Sequence, residues 1–448
     1  MAEEKSFSDL LDELRPKIHW KVSLHDESKQ IYRQVQKTYF EPLSLNACKM
    51  DIRTFYQSAS PTTVNNLVIA LTEDKNRLFD DTLFSESRKH ALGFLNGVFD
   101  LRTGKLRPYQ SSDFVCDPLP HNLPERLSKP VEKWLLSILM QWVGEETADW
   151  FLNAVAYMIF AYPNTEQVWM NFFGSGANGK SLCLEILERA VGDLKCIGCD
   201  LKHINRFTGD TVQDKWLVIG RDSSSEVSEG AVSFIKTFSG DPKVLVEKKG
   251  GASFDITNQG KLIVSTNSLI QSKDRSYAWY RRLLPIPFPN VFDRNDKFKQ
   301  ELLQRLPEII RVLAHRAYLY HQNETSLWGS LPKSVQNLLK ETRMMNDRVA
   351  SFWEGYFFKN VGTEDVNNWI LDWKKIHLCD GWTMTQMYDC FTRWHQQEFG
   401  DMPVLPSMKT FCGQYGEFLS GEGGRYFLYK RTNLGRILTL KPEYVNTW

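Results

Sequence analysis

The chain has 448 residues, 42% of them hydrophobic and 24% charged, with a formal net charge of +1. That length exceeds the size at which a single core usually splits, so several domains are expected. The balanced charge excludes a globally basic nucleic-acid binder and confines any such contact to a local patch.

Residues 1–120 read as a mixed α/β region. The opening Met1-Ala2-Glu3-Glu4-Lys5 lacks the pattern of a signal peptide. Helical spacing starts at Phe7, and a hairpin is expected around residues 96–107, with Asn96-Gly97 in a turn. Residues 121–165 read as helices over 131–143 and 147–162. The apolar stretch 150–162 contains Asn153 and is too short to span a bilayer, so no membrane partner is expected. The eight cysteines are scattered, as in a reduced, cytoplasmic protein. Cys196 and Cys199, with His203 nearby, lack the fourth ligand of a structural zinc site and read as packed thiols.

Residues 166–345 carry the chemistry. An apolar run over 168–173 reads as a buried strand, and 182–187 as the helix that leaves the next turn. Between them, Gly174-Ser175-Gly176-Ala177-Asn178-Gly179-Lys180-Ser181 fits the phosphate-cradling pattern GxxxxGK[ST] without a mismatch. Glycines let successive N–H groups turn toward one anion, Lys180 reaches the outer phosphates, and the Ser181 hydroxyl can ligate Mg²⁺. Leu182 opens a helix whose N-terminus adds partial positive charge. ATP and Mg²⁺ are therefore the expected ligands.

A second strand over 214–222 ends in Asp222, which suits the carboxylate that a P-loop enzyme needs near Mg²⁺. Glu226, four residues on, is the alternative group for polarising the attacking water. A third strand over 261–267 ends in Asn267, suited to orient water beside the γ-phosphate. Arg281 and Arg282 precede a short apolar strand, and an arginine from a neighbouring subunit can stabilise the charge of phosphoryl transfer. Between the second and third strands, alternating residues run into Lys248-Lys249-Gly250-Gly251, a hairpin with a basic tip. DNA contact through Lys248 and Lys249 is expected, with a solvated basic turn as the blander reading. Trp279 and Tyr280 are expected to pack a subunit interface, with stacking on bases as the alternative. Pro307 should break or kink the helical pattern over 302–320.

The order of these motifs resembles superfamily 3 helicases, specifically the phage, plasmid and poxvirus primase-helicase family. The resemblance rests on the loop 174–181, on Lys236-Thr237-Phe238-Ser239-Gly240-Asp241-Pro242, on Ser265-Thr266-Asn267, and on Arg281-Arg282-Leu283. Upstream, Asn96-Gly97-Val98-Phe99-Asp100-Leu101 adds to it, so that it covers the chain from about residue 90 onward. It implies an α/β fold: a P-loop AAA+-like ATPase core over 166–345, a helical N-terminal collar over 121–165 that helps assemble a ring, and a C-terminal winged-helix-like domain over 346–448. It also implies an ATP-dependent DNA helicase, a homo-oligomer and by resemblance a hexamer, that binds ATP between subunits. Such a ring would move on single-stranded DNA and forked duplex in replicating a phage, plasmid or mobile element, beside a separate primase or initiator.

Asp222 is followed by Ser223-Ser224-Ser225 where many relatives carry paired acids, which leaves Asp222 and Glu226 as alternatives. The choice between Arg281 and Arg282 is likewise open. The stretch before Asn96 is too short for the primase domain of many relatives, and no primase activity is expected. Two rival readings are a replication initiator or DNA-binding ATPase with little unwinding activity, and a non-helicase P-loop ATPase. In the tail, Met387, Tyr388, Phe391 and Trp394 have helical spacing, residues 407–418 suggest another helix, and 426–429 and 436–440 read as strands. That order gives the winged-helix pattern, with a small packing module as its alternative.

Overall fold

The computed structural model describes residues 6–24, 30–35, 38–110, 112–204, 209–241, 243–247, 253–323, 326–352, 382–399, 407–412, 427–432 and 435–440. The chain divides into two compact units, Met1–Ile270 with Tyr277–Leu338, and Gln271–Ser276 with Leu339–Trp448.

The first unit begins with α1 (Phe7–Leu14), β1 (Trp20–Ser23), β2 (Ile31–Val35), β3 (Tyr39–Leu43), α2 (Leu45–Phe55), α3 (Pro61–Thr72), β4 (Leu78–Phe79) and α4 (Thr82–Arg88). The strands form one sheet in the order β3-β2-β1-β4. Serines start the helices: Ser44 and Ser60 accept the N–H groups of Ala47 and Thr63, each at 3.1 Å, and Pro61 sits in the first turn where its missing N–H costs nothing. Cys48, Ile52, Val64 and Leu67 then close over Trp20 and Ile31. An antiparallel meander follows, β5 (Ala91–Phe94), β6 (Gly97–Asp100) and β7 (Lys105–Arg107). Its first turn contains Asn96, whose amide holds the backbone N–H and C=O of Leu123, both at 2.9 Å.

Two apolar helices, α5 (Lys129–Val143) and α6 (Glu145–Phe160), lead into the core. Gly144 joins them at φ 89°, a conformation that glycine adopts without strain. The chain then runs β8 (Trp169–Phe173), α7 (Lys180–Val191), β9 (Cys196–Cys199), α8 (Gly209–Val212), β10 (Leu217–Gly220), β11 (Glu226–Val227), α9 (Glu229–Gly240), β12 (Lys243–Glu247), β13 (Ser253–Thr257), β14 (Lys261–Thr266), β15 (Gln271–Ser272, in the second unit), α10 (Tyr277–Tyr280) and β16 (Leu283–Pro287). Five of these strands form a sheet in the order β16-β8-β14-β10-β9, with every neighbouring pair parallel. Both β10 and β14 are buried along their whole length, as apolar strands covered on both faces must be. α11 (Asp296–Gln304) ends just before α12 (Leu306–Asn323), and Pro307 occupies the first turn of the second helix rather than kinking one long one. Among the described residues no helix is long and apolar enough to cross a membrane.

α13 (Lys333–Asn346) and α14 (Arg348–Phe352) follow. In the second unit, β17 (Trp382–Thr383), α15 (Met384–Phe399), β18 (Phe427–Thr432) and β19 (Gly435–Leu440) are described, with a three-stranded sheet ordered β17-β19-β18. Its core is aromatic: Phe391 packs against Phe411 and Phe352 at ring distances of 5.0 and 5.5 Å.

Candidate active site

The site is built at the C-terminal edge of the parallel sheet. The chain leaves β8 through Gly174, where an added Cβ would lie 2.1 Å from the Asn178 amide and 2.6 Å from the Phe288 carbonyl. It then curls through Gly176, Ala177 and Gly179 at φ 112°, 50° and 91°. A Cβ on Gly179 would strike the Trp142 indole at 2.9 Å, so only glycine lets the loop lie down on α5. The loop delivers Lys180 and Ser181 as the first residues of α7, whose N-terminus no side chain caps. Its leading N–H groups are thus left for an anion.

β14 supplies the next residues by tying three neighbours with three consecutive side chains. Ser265 Oγ accepts the Asp222 N–H at 3.0 Å, Thr266 donates to buried Asn171 on β8 at 3.0 Å, and Asn267 Oδ1 accepts from Lys180 at 3.2 Å. Asp222 itself sits at φ 44°, a left-handed conformation that its neighbours hold in place. Lys180 is buried, with Nζ donating to Gly174 O at 2.6 Å and to Asn178 Oδ1 at 3.0 Å. Burial pushes its pKa down, and nearby Asp222 partly restores it. Asn178 in turn donates to Phe288 O at 3.1 Å, fastening the loop to the end of β16.

These groups face a cavity of about 900 Å³. Residues 176–182, Asp222 and Asn267 line it; Gly174 and Ser175 are not part of the lining, and Ser175 is exposed. The structure adds residues that the motifs do not signal: Gln141 and Trp142 from α5, Arg221, and the stretch 292–296 with Phe298 and Lys299 after β16. Arg221 donates to Ser181 O at 3.2 Å and pairs with Glu188, which fixes the end of β10 against α7. Phe292 N–H donates to Ala177 O at 2.8 Å, so the segment after β16 lies along the loop.

Other candidates fall elsewhere. Glu226 is exposed and outside the cavity wall, with its N–H on Ser224 Oγ at 3.2 Å. Arg281 and Arg282 precede β16, whose register pairs Leu283 with Trp169 and Pro287 with Phe173. They therefore lie at the opposite edge of the sheet, about 20 Å along the strand from Phe288. Arg282 donates to Ala278 O at 2.6 Å, its Nε has no partner among the described residues, and burial lowers its pKa. Trp279 and Tyr280 correct an expectation. Both are buried within the chain itself, Trp279 against Trp169 at 5.3 Å, because the short helix α10 turns them inward. They present no ring to a base or to a neighbouring chain. The predicted basic hairpin has its strands, with β12 and β13 pairing from Lys243–Thr257 to Glu247–Ser253, while Lys248 and Lys249 lie outside the described residues. Cys196 and Cys199 are both in β9.

Residues 3–140 match the family described as D5 N terminal like, and residues 172–282 match a family of unknown function, DUF5906. Two curated relatives are "Putative helicase 121R" of Invertebrate iridescent virus 3 and "Putative helicase 184R" of Invertebrate iridescent virus 6. Each is 24% identical, over 50% and 46% of this chain respectively. The matched stretches span only 25% and 23% of those proteins. The solved NrS-1 C terminal region (305-718) shares the fold, at a TM-score of 0.52 and 14% identity, over 98% of this chain and 99% of that one. An A form apo structure of the same region gives a TM-score of 0.50 at 14% identity. The family match and the two viral relatives support a phage or viral primase-helicase relationship for this chain.

Proposed function

We propose that the protein is an ATP-dependent DNA helicase, an AAA+-like P-loop ATPase of superfamily 3 type that acts as a ring, by resemblance hexameric, in replicating viral, phage or plasmid DNA. One observation carries this reading: Lys180, Ser181, Asp222 and Asn267 converge on one cavity of about 900 Å³ beside an uncapped helix N-terminus. That donor set fits a nucleoside triphosphate with Mg²⁺. The glycine loop and the start of α7 offer backbone N–H groups to phosphate oxygens, Ser181 and Asp222 offer hard oxygen ligands, and Lys180 supplies fixed positive charge. When bound, Mg²⁺ neutralises charge on the phosphates.

Catalysis by this chain's own residues follows from what would move. Lys180 would exchange Gly174 O and Asn267 Oδ1 for phosphate oxygens, which would release the Asn267 amide to orient water. Asp222, held by Ser265, would accept the proton of that water or order it, and its place in the wall favours it over Glu226, which lies outside the wall. Arg281 or Arg282 would act on a neighbouring copy's nucleotide, since their own sheet separates them from their own loop. The hairpin carrying Lys248 and Lys249 would grip single-stranded DNA, and the second unit would serve as a winged-helix-like domain against duplex. Working partners would be forked DNA, further copies of the chain, and a separate primase or initiator, inside the cell. The deciding experiment measures ATP hydrolysis with and without single-stranded DNA, alongside unwinding of a forked duplex. ATPase activity that DNA stimulates, together with strand separation, supports a helicase. ATPase activity without unwinding points instead to an initiator or another P-loop ATPase, and no hydrolysis at all defeats the proposal.

A further inference from the structure

A second cavity of about 280 Å³ lies at the other edge of the same unit, where α4 and the segment 114–118 meet the N-terminal ends of β9 and β10. Its chemistry is unusual for a packing defect. Arg88 is 3% exposed, and its Cζ lies 3.8 Å from the centre of the Trp216 ring. Nη1 donates to Gln259 O at 2.7 Å, but Nε and Nη2 are buried with no partner among the described residues. Lys195, also buried, sits 4.8 Å from the same indole and bonds Asp117 at 3.2 Å. Buried charges of this kind are normally paired, because desolvating a guanidinium without acceptors is costly. Asp117 is engaged by Lys195, and no described carboxylate bonds Arg88. Burial lowers the pKa of Arg88 to about 9.

Backbone strain points to the same place. Among the described residues, six other than glycine adopt positive φ. Ala177 and Asp222 line the loop cavity, whereas Phe114 (44°), Asp117 (52°) and Asp214 (60°) line this one. Such conformations persist only where surrounding structure imposes them, and they gather at ligand sites. The cavity thus has unsatisfied guanidinium donors, a lysine and aromatic walls from Phe114 and Trp216, all held on a strained frame. We propose that it is a second anion site, selective for a small phosphate-bearing ligand, which binds against Arg88 and Lys195 and clamps the N-terminal region to the ATPase sheet. Phosphate oxygens would supply the acceptors that Arg88 lacks, and the aromatic walls leave room for a base beside them. Asp117 and Asp214 also line the cavity, so a multiply charged polyphosphate would be disfavoured there relative to a single phosphate.

The test separates this site from the glycine loop. Crystals of the full chain, soaked in tungstate as a phosphate mimic, should show anomalous density within hydrogen-bonding reach of Arg88, in addition to any at the loop. In solution, inorganic phosphate, pyrophosphate and a nucleoside monophosphate are titrated calorimetrically with the loop already saturated by a non-hydrolysable ATP analogue. Arg88→Met should weaken binding roughly ten- to a hundredfold, the value of charge-assisted hydrogen bonds, whereas Arg88→Lys keeps part of it. Tighter binding of the monophosphate than of phosphate would assign a base to the aromatic walls; equal binding would assign the oxyanion alone. If Arg88→Met does not fold, Lys195→Met carries the same expectation. Density at the loop only, or unchanged affinity in a folded Arg88→Met or Lys195→Met protein, overturns the proposal. Loop occupancy is read in the same crystals, so failure of the ATP reading is seen separately.

Discussion

The two cavities of the first unit sit at opposite edges of one parallel sheet and are assembled in opposite ways. At the C-terminal edge, eight consecutive residues form the glycine-rich loop, and Asp222 and Asn267 arrive from the ends of the next two strands in the sheet order. At the N-terminal edge, the walls come from segments scattered between Gln30 and Gln259, none of which has a pattern of its own. Both edges hold buried cations. Lys180 has three acceptors, whereas Arg88 has donors with none. The lesson is that strand ends concentrate chemistry, and that only the edge fed by one short loop announces itself in sequence.

The largest expected effect breaks the comparison at its stronger end. Lys180→Ala should bring ATP hydrolysis below detection while leaving the melting transition in place, because it removes charge facing the phosphates and no part of an apolar cluster. Substantial turnover by a well-folded Lys180→Ala protein would end the ATPase assignment. Next in size is the arginine pair at the opposite edge. Arg282→Ala should bind ATP almost normally but hydrolyse it about a thousandfold more slowly, because a finger neutralises charge that appears only in the transition state. Mixing Arg282→Ala with Lys180→Ala subunits should restore part of the activity at junctions that pair an intact loop with an intact arginine. No recovery in proven mixed oligomers would mean that Arg282 acts within its own subunit or only packs, and the same mixture with Arg281→Ala decides between the two.

Legibility followed the range of the interactions. The order of strands and helices in the core was readable, because apolar runs of five or six residues between a glycine turn and a helix leave little choice. The start of α7 and the end of β14 were readable from the loop pattern and Ser265-Thr266-Asn267. Trp142 was not: nothing at the end of an apolar helix says that its indole will lie under Gly179. Trp279 and Tyr280 misled because two aromatics beside two arginines read as a surface, and only the turn of α10 shows them facing inward. Arg221 and Lys299 were missed for a related reason. Their value comes from partners Glu188 and Glu185 on α7, which sequence spacing cannot place.

A smaller effect is expected at the hairpin. Changing Lys248 and Lys249 together to Ala should weaken single-stranded DNA binding and unwinding while ATP hydrolysis without DNA persists. Losing two phosphate contacts should flatten the slope of log affinity against log salt by about 1.4, at about 0.7 per contact on a single strand. A slope and an unwinding rate equal to the unchanged protein would leave the pair as a solvated turn.

The smallest effect decides which carboxylate matters. Both carboxylates are exposed, but Asp222 lines the cavity with its backbone pinned by Ser265, whereas Glu226 lies outside the wall, two residues past Ser224, whose hydroxyl it engages only through its N–H. A group that neither ligates the metal nor reaches the attacking water should matter little to the chemical step. Glu226→Gln is therefore expected to change kcat by no more than about twofold, with KM for ATP unaltered, while Asp222→Asn lowers kcat by at least about a hundredfold. The substitutions remove one charge each and alter almost no volume, so a difference between them reads position rather than packing. Measuring kcat against Mg²⁺ concentration sharpens the comparison. Asp222→Asn should need more Mg²⁺ to reach half its maximal rate, and Glu226→Gln should not. If Glu226→Gln proves the more damaging of the two, the attacking water is served from outside the wall, and the strand-end carboxylate keeps only the metal.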